Sequence, residues 1–226
     1  MTRSVIVTGG FGVLGRAVSA AFAAAGDRVA RIDFAPAVQE DDGYLDIGGV
    51  DLTDPAAAQA AAAGVADAFG QIDILVNVAG GFTWNRLADG GIENWDRMYA
   101  MNLRTCVNMI EAALPELLKQ PSARIVNIGS MSALAAGSGM GGYAASKSAV
   151  HRLTESLSIE LGDNDITVNA VLPAIIDTPA NRADMPDADF STWVRPAAIA
   201  DTILFLASHA ARGVNGALVP VSRGHD

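Results

Sequence analysis

Short apolar runs alternate with alanine-rich stretches along the chain, and this alternation constrains the fold more than any other feature. Each run is nearly continuous in β-branched and aliphatic residues, which is typical of parallel strands covered on both faces. The runs are SVIVT (4–8), RVARID (28–33), DILVNVAG (73–80), RIVNIGS (124–130) and TVNAVLP (167–173), with ALVPV (217–221) as an edge strand. Strand and helix alternating in this way predict right-handed βαβ units, hence an α/β fold with a doubly wound, predominantly parallel seven-stranded sheet and helices on both faces.

The stretches between the strands carry the end signals of helices. We predict helices at 16–26, 53–70, 93–119 and 142–162. Gly26 is placed to cap the first helix, and Pro55 stands where the first turn of a helix tolerates proline. No linker or composition break divides the 226 residues, so a single domain over 1–226 is expected.

Composition excludes several classes of function. The chain has 15 basic and 25 acidic residues, a net charge of −10, which argues against a nucleic-acid or anionic-membrane partner. Cys106, the single cysteine, allows no intrachain disulfide, and three scattered histidines indicate no metal site. Since no apolar stretch reaches the length of about 18 residues that a bilayer requires, we expect a cytoplasmic protein with a small-molecule partner.

A glycine-rich turn, TGGFGVLG (8–15), joins the first strand to the first helix. Gly9, Gly12 and Gly15 recur every third residue, and glycines in such a turn allow a backbone to approach a pyrophosphate closely. The N-terminus of the following helix would face the phosphates with its partial positive charge. The position between strand and helix predicts a Rossmann-like dinucleotide-binding turn.

Asp33 bears on which dinucleotide would bind. It ends the second strand, near the spacing of about 20 residues at which an acid hydrogen-bonds the adenosine ribose. A carboxylate repels a 2′-phosphate, so NAD(H) is favoured. Arg31 and Arg16 could pair with a 2′-phosphate or lie solvated at the surface, which leaves NADP(H) open.

Tyr143 and Lys147 lie four residues apart on one face of a predicted helix. A neighbouring ammonium and an oxidised nicotinamide would lower the pKa of the phenol, making it a general acid or base for a carbonyl or alcohol oxygen. Ser130 ends the strand RIVNIGS, at the sheet edge where ligands bind in open α/β folds. His151, near the same helix face, is interpreted as a packing or interface residue.

Over essentially its whole length the chain resembles the short-chain dehydrogenase/reductase family. Ser130, Tyr143 and Lys147 match the family motif Ser…Tyr-x-x-x-Lys, and Asn102 falls at the place of its fourth catalytic residue. The resemblance implies that Tyr143 exchanges the proton and Ser130 polarises the substrate oxygen. It implies that Lys147 binds the nicotinamide ribose and lowers the pKa of Tyr143, and that Asn102 holds a relay water. Hydride would pass between the nicotinamide and the carbonyl carbon.

Further motifs resemble the cofactor-binding segments of the family: VDL (50–52), NVAG (77–80) and LPAIIDTP (172–179). Three positions depart from the family pattern, and none removes a reacting group. Val13 would shift the phosphate turn slightly, Val78 would affect the support of the strand, and Ala174 would alter the close backbone approach at the family's Pro-Gly motif. The cofactor contacts implied are Gly9, Phe11, Gly12, Val13, Leu14, Gly15, Asp33, Asp51, Leu52, Asn77, Ala79, Gly80, Tyr143, Lys147, Pro173, Ile176 and Thr178.

A short substrate lid is expected at about 179–194, and a short lid implies an open cleft. Its apolar lining would come from Phe82, Trp84, Met140, Met185 and Trp193. The sequence therefore predicts an NAD(P)-dependent ketone reductase or secondary-alcohol dehydrogenase that tolerates bulky apolar ketones. A 3-oxoacyl thioester reductase, a pteridine reductase and a non-catalytic nicotinamide-binding sensor remain alternatives. The resemblance also implies a homo-oligomer, either a tetramer or a dimer.

Overall fold

The computed structural model describes residues 2–37 and 42–224. Its strands form one seven-stranded, all-parallel sheet. The strands lie in the order β3-β2-β1-β4-β5-β6-β7. Their bounds are β1 Ser4–Thr8, β2 Arg28–Ile32, β3 Leu45–Ile47, β4 Ile74–Asn77, β5 Ala123–Ile128, β6 Ile166–Pro173 and β7 Leu218–Val221. The order reverses between β1 and β4, and in an open sheet that switch point is where a ligand crevice forms. The predicted α/β doubly wound fold is confirmed.

Helices cover both faces of the sheet. Their bounds are α1 Val13–Ala24, α2 Pro55–Phe69, α3 Leu87–Tyr99, α4 Thr105–Leu117, α5 Gly141–Glu160, α6 Pro179–Asp184 and α7 Pro196–Leu206. One apolar core lies between the sheet and α2, α4 and α5, and the other lies between the sheet and α1 and α7. Within the described ranges, no helix combines the length and the apolar character needed to span a bilayer.

Two features differ from the sequence expectation. The strand β3, Leu45–Ile47, was not among the predicted runs, because three half-buried residues carry too little apolar pattern. The helix predicted as continuous over 93–119 is divided into α3 and α4 by a π-helical turn at Ala100–Arg104. Gly91, with φ 54°, also breaks the regular geometry inside α3.

The strand β4 ends at Asn77, earlier than the apolar run that extends to Gly80. The backbone N–H groups of Val78 and Ala79 donate to the Thr8 hydroxyl, at 3.1 and 3.0 Å, instead of continuing the strand ladder. The chain therefore leaves the sheet beside the glycine-rich turn, and the crevice opens between β1 and β4.

Candidate active site

The glycine-rich turn is held by close backbone packing. Gly9 has φ 62°, and a Cβ there would lie 2.9 Å from the backbone nitrogen of Ala79. A Cβ on Gly15 would lie 2.1 Å from the Gly9 carbonyl oxygen. A Cβ on Gly12, by contrast, would come no closer than 3.4 Å to an atom of the protein. The fold itself requires Gly9 and Gly15, whereas the space beside Gly12 at the start of α1 suits a phosphate group.

Asp33 lies directly beside this turn. Its carboxylate accepts the backbone N–H of Phe11 at 2.9 Å and that of Ala35 at 3.0 Å. These bonds fix a negative charge at the end of β2, next to the start of α1. The arrangement suits an acid that binds ribose hydroxyls.

Arg31 is not solvated at the surface. Its side chain is only 5% exposed and forms ion pairs with Asp46 at 2.6 Å and Asp42 at 2.8 Å. The guanidinium lies 4.0 Å from the centre of the Tyr44 ring. The hydrogen bonds that Arg31 donates to Asp46 raise the pKa of Arg31. The surface interpretation of Arg31 was wrong, because Asp46 of β3 and Asp42, just before β3, pair with it.

The other predicted cofactor residues differ in whether their side chains are buried or exposed. Leu52 packs its side chain into the core, and the buried Asn77 amide donates to the Asn127 side chain at 2.9 Å. Asp51 is exposed and accepts from both the backbone and the hydroxyl of Thr53. The remainder of the set lies at the start of α1 or at strand ends: Val13 and Leu14 open α1, Gly80 follows β4, Pro173 ends β6, and Ile176 and Thr178 follow β6. Of these, Thr178 caps α6 by accepting the backbone N–H of Asn181 at 3.1 Å.

Asn102 lies in the π-helical turn and is buried. Its Nδ2 atom donates to the Gly81 carbonyl and to the Ser146 hydroxyl, both at 3.1 Å, and its Oδ1 atom accepts the Gly81 N–H at 3.0 Å. A Cβ on Gly80 would lie 2.6 Å from Asn102 Oδ1 and 3.4 Å from Lys147 Nζ. The side chains of Asn102 and Lys147 therefore meet at Gly80.

Lys147 is buried, and its Nζ atom donates to the Ile128 carbonyl at 2.7 Å. Burial lowers the pKa of Lys147 from 10.5 to about 8, and the neighbouring Cys106 opposes that effect only in part. The Lys147 ammonium therefore gives up its proton more readily than the ammonium of an exposed lysine does.

Tyr143 lies one helical turn before Lys147, at the start of α5. Burial raises the pKa of the Tyr143 phenol, and a hydrogen bond with the Ser130 side chain opposes it. The lowering predicted from Lys147 does not occur in the protein alone, since the Lys147 ammonium donates to the Ile128 carbonyl and desolvation of the phenol dominates. Ser130 follows the end of β5 and accepts the Ser132 N–H at 3.1 Å.

Aromatic side chains form one wall beside Tyr143. The Phe82 ring contacts Tyr143 edge-to-face, with centroids 5.0 Å apart. The Trp84 indole donates to the Ser138 carbonyl at 2.9 Å, which joins the loop after β4 to the loop before α5. Phe82 is 50% exposed and Trp84 is 55% exposed, so both present apolar surface to solvent.

The segment 179–194, where the sequence predicts a lid, contributes less apolar surface than expected. Trp193 is only 4% exposed and packs against the Phe190 ring, with centroids 4.7 Å apart, so its side chain is buried within this segment instead of lining a cleft. Met185 is partly exposed at the end of α6. A shallow pocket of about 190 Å³ lies between the lid and the start of α7, bounded partly by Arg182 and Phe190.

Sequence reasoning missed two side chains of α5 that support the site. The Ser146 hydroxyl accepts from Asn102 and donates to the Tyr143 carbonyl at 2.8 Å. His151 accepts the backbone N–H of Ser130 at 3.3 Å. Their spacing from Tyr143 places them near its helix face, but only the structure shows what they contact. The residues that the structure describes hold no group of three or more potential metal ligands.

Comparison with known proteins adds independent evidence. The sequence model of the short chain dehydrogenase family matches residues 3–189. The chain is 35% identical to 2-(R)-hydroxypropyl-CoM dehydrogenase of Xanthobacter autotrophicus, over 96% of each chain. It is 31% identical to a 3-oxoacyl-[acyl-carrier-protein] reductase of Staphylococcus aureus, over 99% of this chain and 98% of that one. The ligand-free structure of Thermoplasma acidophilum aldohexose dehydrogenase superposes with a TM-score of 0.89 at 26% identity, covering 97% and 92% of the two chains.

Proposed function

The chain belongs to the short-chain dehydrogenase family and is an oxidoreductase that acts on CH–OH groups, and from this premise we propose that it reduces ketones and oxidises secondary alcohols at the site around Tyr143. The observation that carries the proposal is the convergence of Ser130, Tyr143, Lys147 and Asn102 at the carboxyl ends of β4 and β5.

In this proposal Tyr143 exchanges a proton with the substrate oxygen, and Ser130 hydrogen-bonds that oxygen. Since burial raises the pKa of Tyr143, the protonated phenol is ready to donate during reduction. The pKa of Lys147 is lowered to about 8, so its ammonium can reprotonate Tyr143 after the phenol has donated its own proton. The Asn102 side-chain amide accepts the Gly81 N–H and donates to the Gly81 carbonyl, and these two hydrogen bonds hold the backbone at Gly81 in place.

A nicotinamide dinucleotide, when bound, supplies or accepts the hydride. The residues present fit such a group: open space at Gly12, the start of α1, and an acid at Asp33. We propose NAD(H) as the preferred form, because the Asp33 charge opposes a 2′-phosphate and Arg31 is already paired with two carboxylates. Arg16, exposed and donating to the Phe11 carbonyl, is the cation that could still favour NADP(H).

For the substrate we propose bulky apolar ketones, supported by the half-exposed Phe82 and Trp84 beside Tyr143. A 3-oxoacyl thioester is the second candidate, favoured by the similarity to the Staphylococcus aureus reductase. A net charge of −10 would repel a strongly acidic carrier protein. We further propose a single domain over 1–226 with a lid at about 179–194, a homo-oligomeric assembly and a cytoplasmic location.

The test follows the loss of reduced-nicotinamide absorbance with NADH and NADPH, against small ketones, bulky aryl ketones and acetoacetyl-CoA. Tyr143→Phe should lower kcat by about 10²–10⁴-fold, whereas Tyr99→Phe, which removes an exposed phenol on α3, should leave it unchanged. No turnover with any carbonyl, despite cofactor binding, would refute the proposal. Faster reduction of the thioester than of every ketone would favour the second candidate.

Asp33→Asn tests the cofactor preference separately, because it keeps a hydrogen-bond acceptor for Phe11 while removing the charge. The ratio of kcat/KM for NADPH to that for NADH should rise. Arg16→Met is the matched variant, and it should lower the same ratio if Arg16 contacts a 2′-phosphate. An unchanged ratio in Asp33→Asn would show that the Asp33 charge does not select the cofactor.

A further inference from the structure

The backbone N–H of Ser130 has no neighbouring strand to bond. Arg124 N donates to the Asp73 carbonyl, on the β4 side, and Gly129 N donates to the Val171 carbonyl, on the β6 side. Successive residues of a strand point their N–H groups to alternate sides, so the N–H of Ser130 points toward β4. The strand β4 has already ended there, because its last residue, Asn77, pairs with Asn127.

His151 supplies the missing acceptor. Its Nε2 atom lies 3.3 Å from the Ser130 backbone nitrogen, and its side chain is almost fully buried. The imidazole packs directly on the strand end, since a Cβ on Gly129 would lie 2.4 Å from the same Nε2 atom. Gly129 therefore leaves the space that lets His151 reach the Ser130 backbone.

The contact requires an imidazole that is neutral at Nε2, because an N–H cannot donate to another N–H. Burial, together with the cations Arg152 and Lys147, lowers the pKa of His151 to about 4. The ring is therefore an acceptor across the neutral range, with its remaining proton on Nδ1.

We propose that His151 is a positioning residue: its Nε2 atom holds the Ser130 backbone, and thereby the Ser130 hydroxyl, in the arrangement that catalysis requires. The inference rests on the function proposed for Ser130 and extends it to a side chain that touches neither substrate nor cofactor. Without the acceptor, a buried N–H is left unsatisfied and the strand end moves to pair it.

Two measurements test this. The first needs no turnover: in protein labelled with ¹⁵N-histidine, long-range proton–nitrogen correlation at neutral pH identifies the protonated ring nitrogen. The chain has only three histidines, and the His151 signals are identified as those that are missing from the spectrum of His151→Gln. Nε2 without a proton supports the proposal, and a protonated Nε2 overturns it.

The second measurement is kinetic. His151→Leu should lower kcat roughly 10-fold to 100-fold, as expected when a reacting group is misplaced, with the KM for the cofactor unchanged. His151→Gln, whose amide oxygen can accept the same N–H, should restore most of the rate. Ser158→Ala removes a buried hydroxyl two turns further along α5, which donates to the Glu155 carbonyl of the same helix. It controls for general damage, which thermal unfolding monitors in every variant.

The Ser130→Ala background completes the test. If His151 acts through Ser130, His151→Leu should cost little further rate once the hydroxyl is absent. Equal losses in both backgrounds, or a His151→Gln variant as slow as His151→Leu, would overturn the proposal. An inactive wild type would instead refute the proposed function, and the nitrogen assignment would then decide whether His151 holds the Ser130 backbone.

Discussion

Replacing Lys147 with methionine should stabilise the protein while it abolishes activity. The native ammonium is buried, and its pKa is lowered from 10.5 to about 8. That difference corresponds to a charging cost of about 3 kcal/mol, since a tenfold change in proton affinity is worth about 1.4 kcal/mol. Loss of the hydrogen bond to the Ile128 carbonyl would offset about 1 kcal/mol. We expect Lys147→Met to raise the free energy of unfolding by about 2 kcal/mol at neutral pH.

The effect should depend on pH in a defined direction. Below pH 8 the ammonium is charged in both the folded and the unfolded chain, so the wild type bears the whole cost of burying it. Between about pH 8 and 10.5 the folded chain has released the proton and the unfolded chain still holds it, so the stability of the wild type rises. Lys147→Met lacks this titration, and its advantage over the wild type should shrink across that interval.

Urea unfolding of both proteins at pH 7 and at pH 10 measures the difference. Lys119, the other lysine of the chain, is exposed, so Lys119→Met should change stability by no more than about 0.5 kcal/mol at either pH. A Lys147→Met variant less stable than the wild type at pH 7 would refute the reasoning. An advantage that stays constant between the two pH values would also refute it.

Three further predictions concern the turn, the ion pairs and the aromatic wall. Gly15→Ala should abolish cofactor binding, which a dinucleotide titration measures, because the added Cβ would lie 2.1 Å from a backbone oxygen. Gly64→Ala is the control: its Cβ on α2 would meet no atom closer than 3.9 Å, so urea unfolding should show a free energy of unfolding raised by about 0.5–1 kcal/mol. Arg31→Met should lower the free energy of unfolding by about 3 kcal/mol, because it leaves two carboxylates without their partner. The ratio of kcat/KM for NADPH to that for NADH should be unchanged in this variant. Phe82→Ala should raise the KM for aryl ketones more than that for small ketones, and equal changes would exclude Phe82 from the substrate wall.

The sheet and the catalytic spacing could be predicted because their signals are local. Continuous apolar runs specify buried parallel strands, and Tyr143 and Lys147 share a helix face whatever surrounds them. The glycine turn is partly local, since Gly9 has φ 62° and Gly15 packs against the Gly9 carbonyl within the turn, but the contact of Gly9 with Ala79 is made across the sheet. Sequence pattern alone was therefore sufficient for the doubly wound fold, whereas most of the catalytic and cofactor residues came from the resemblance to a known family and stay a prediction.

What needed the tertiary structure was every contact between distant parts of the chain. Arg31 reads as a surface arginine until β3 brings Asp46 to it, and β3 itself is too short to show a pattern. The direction of the Tyr143 pKa depends on desolvation and on where the Lys147 ammonium donates. His151 reads as a packing residue until the end of β4 leaves the Ser130 N–H without a strand partner. Periodicity determines which face a side chain occupies, but its partner is decided by which elements pack together, because hydrogen bonds and desolvation act over a few ångströms of space and not along the sequence.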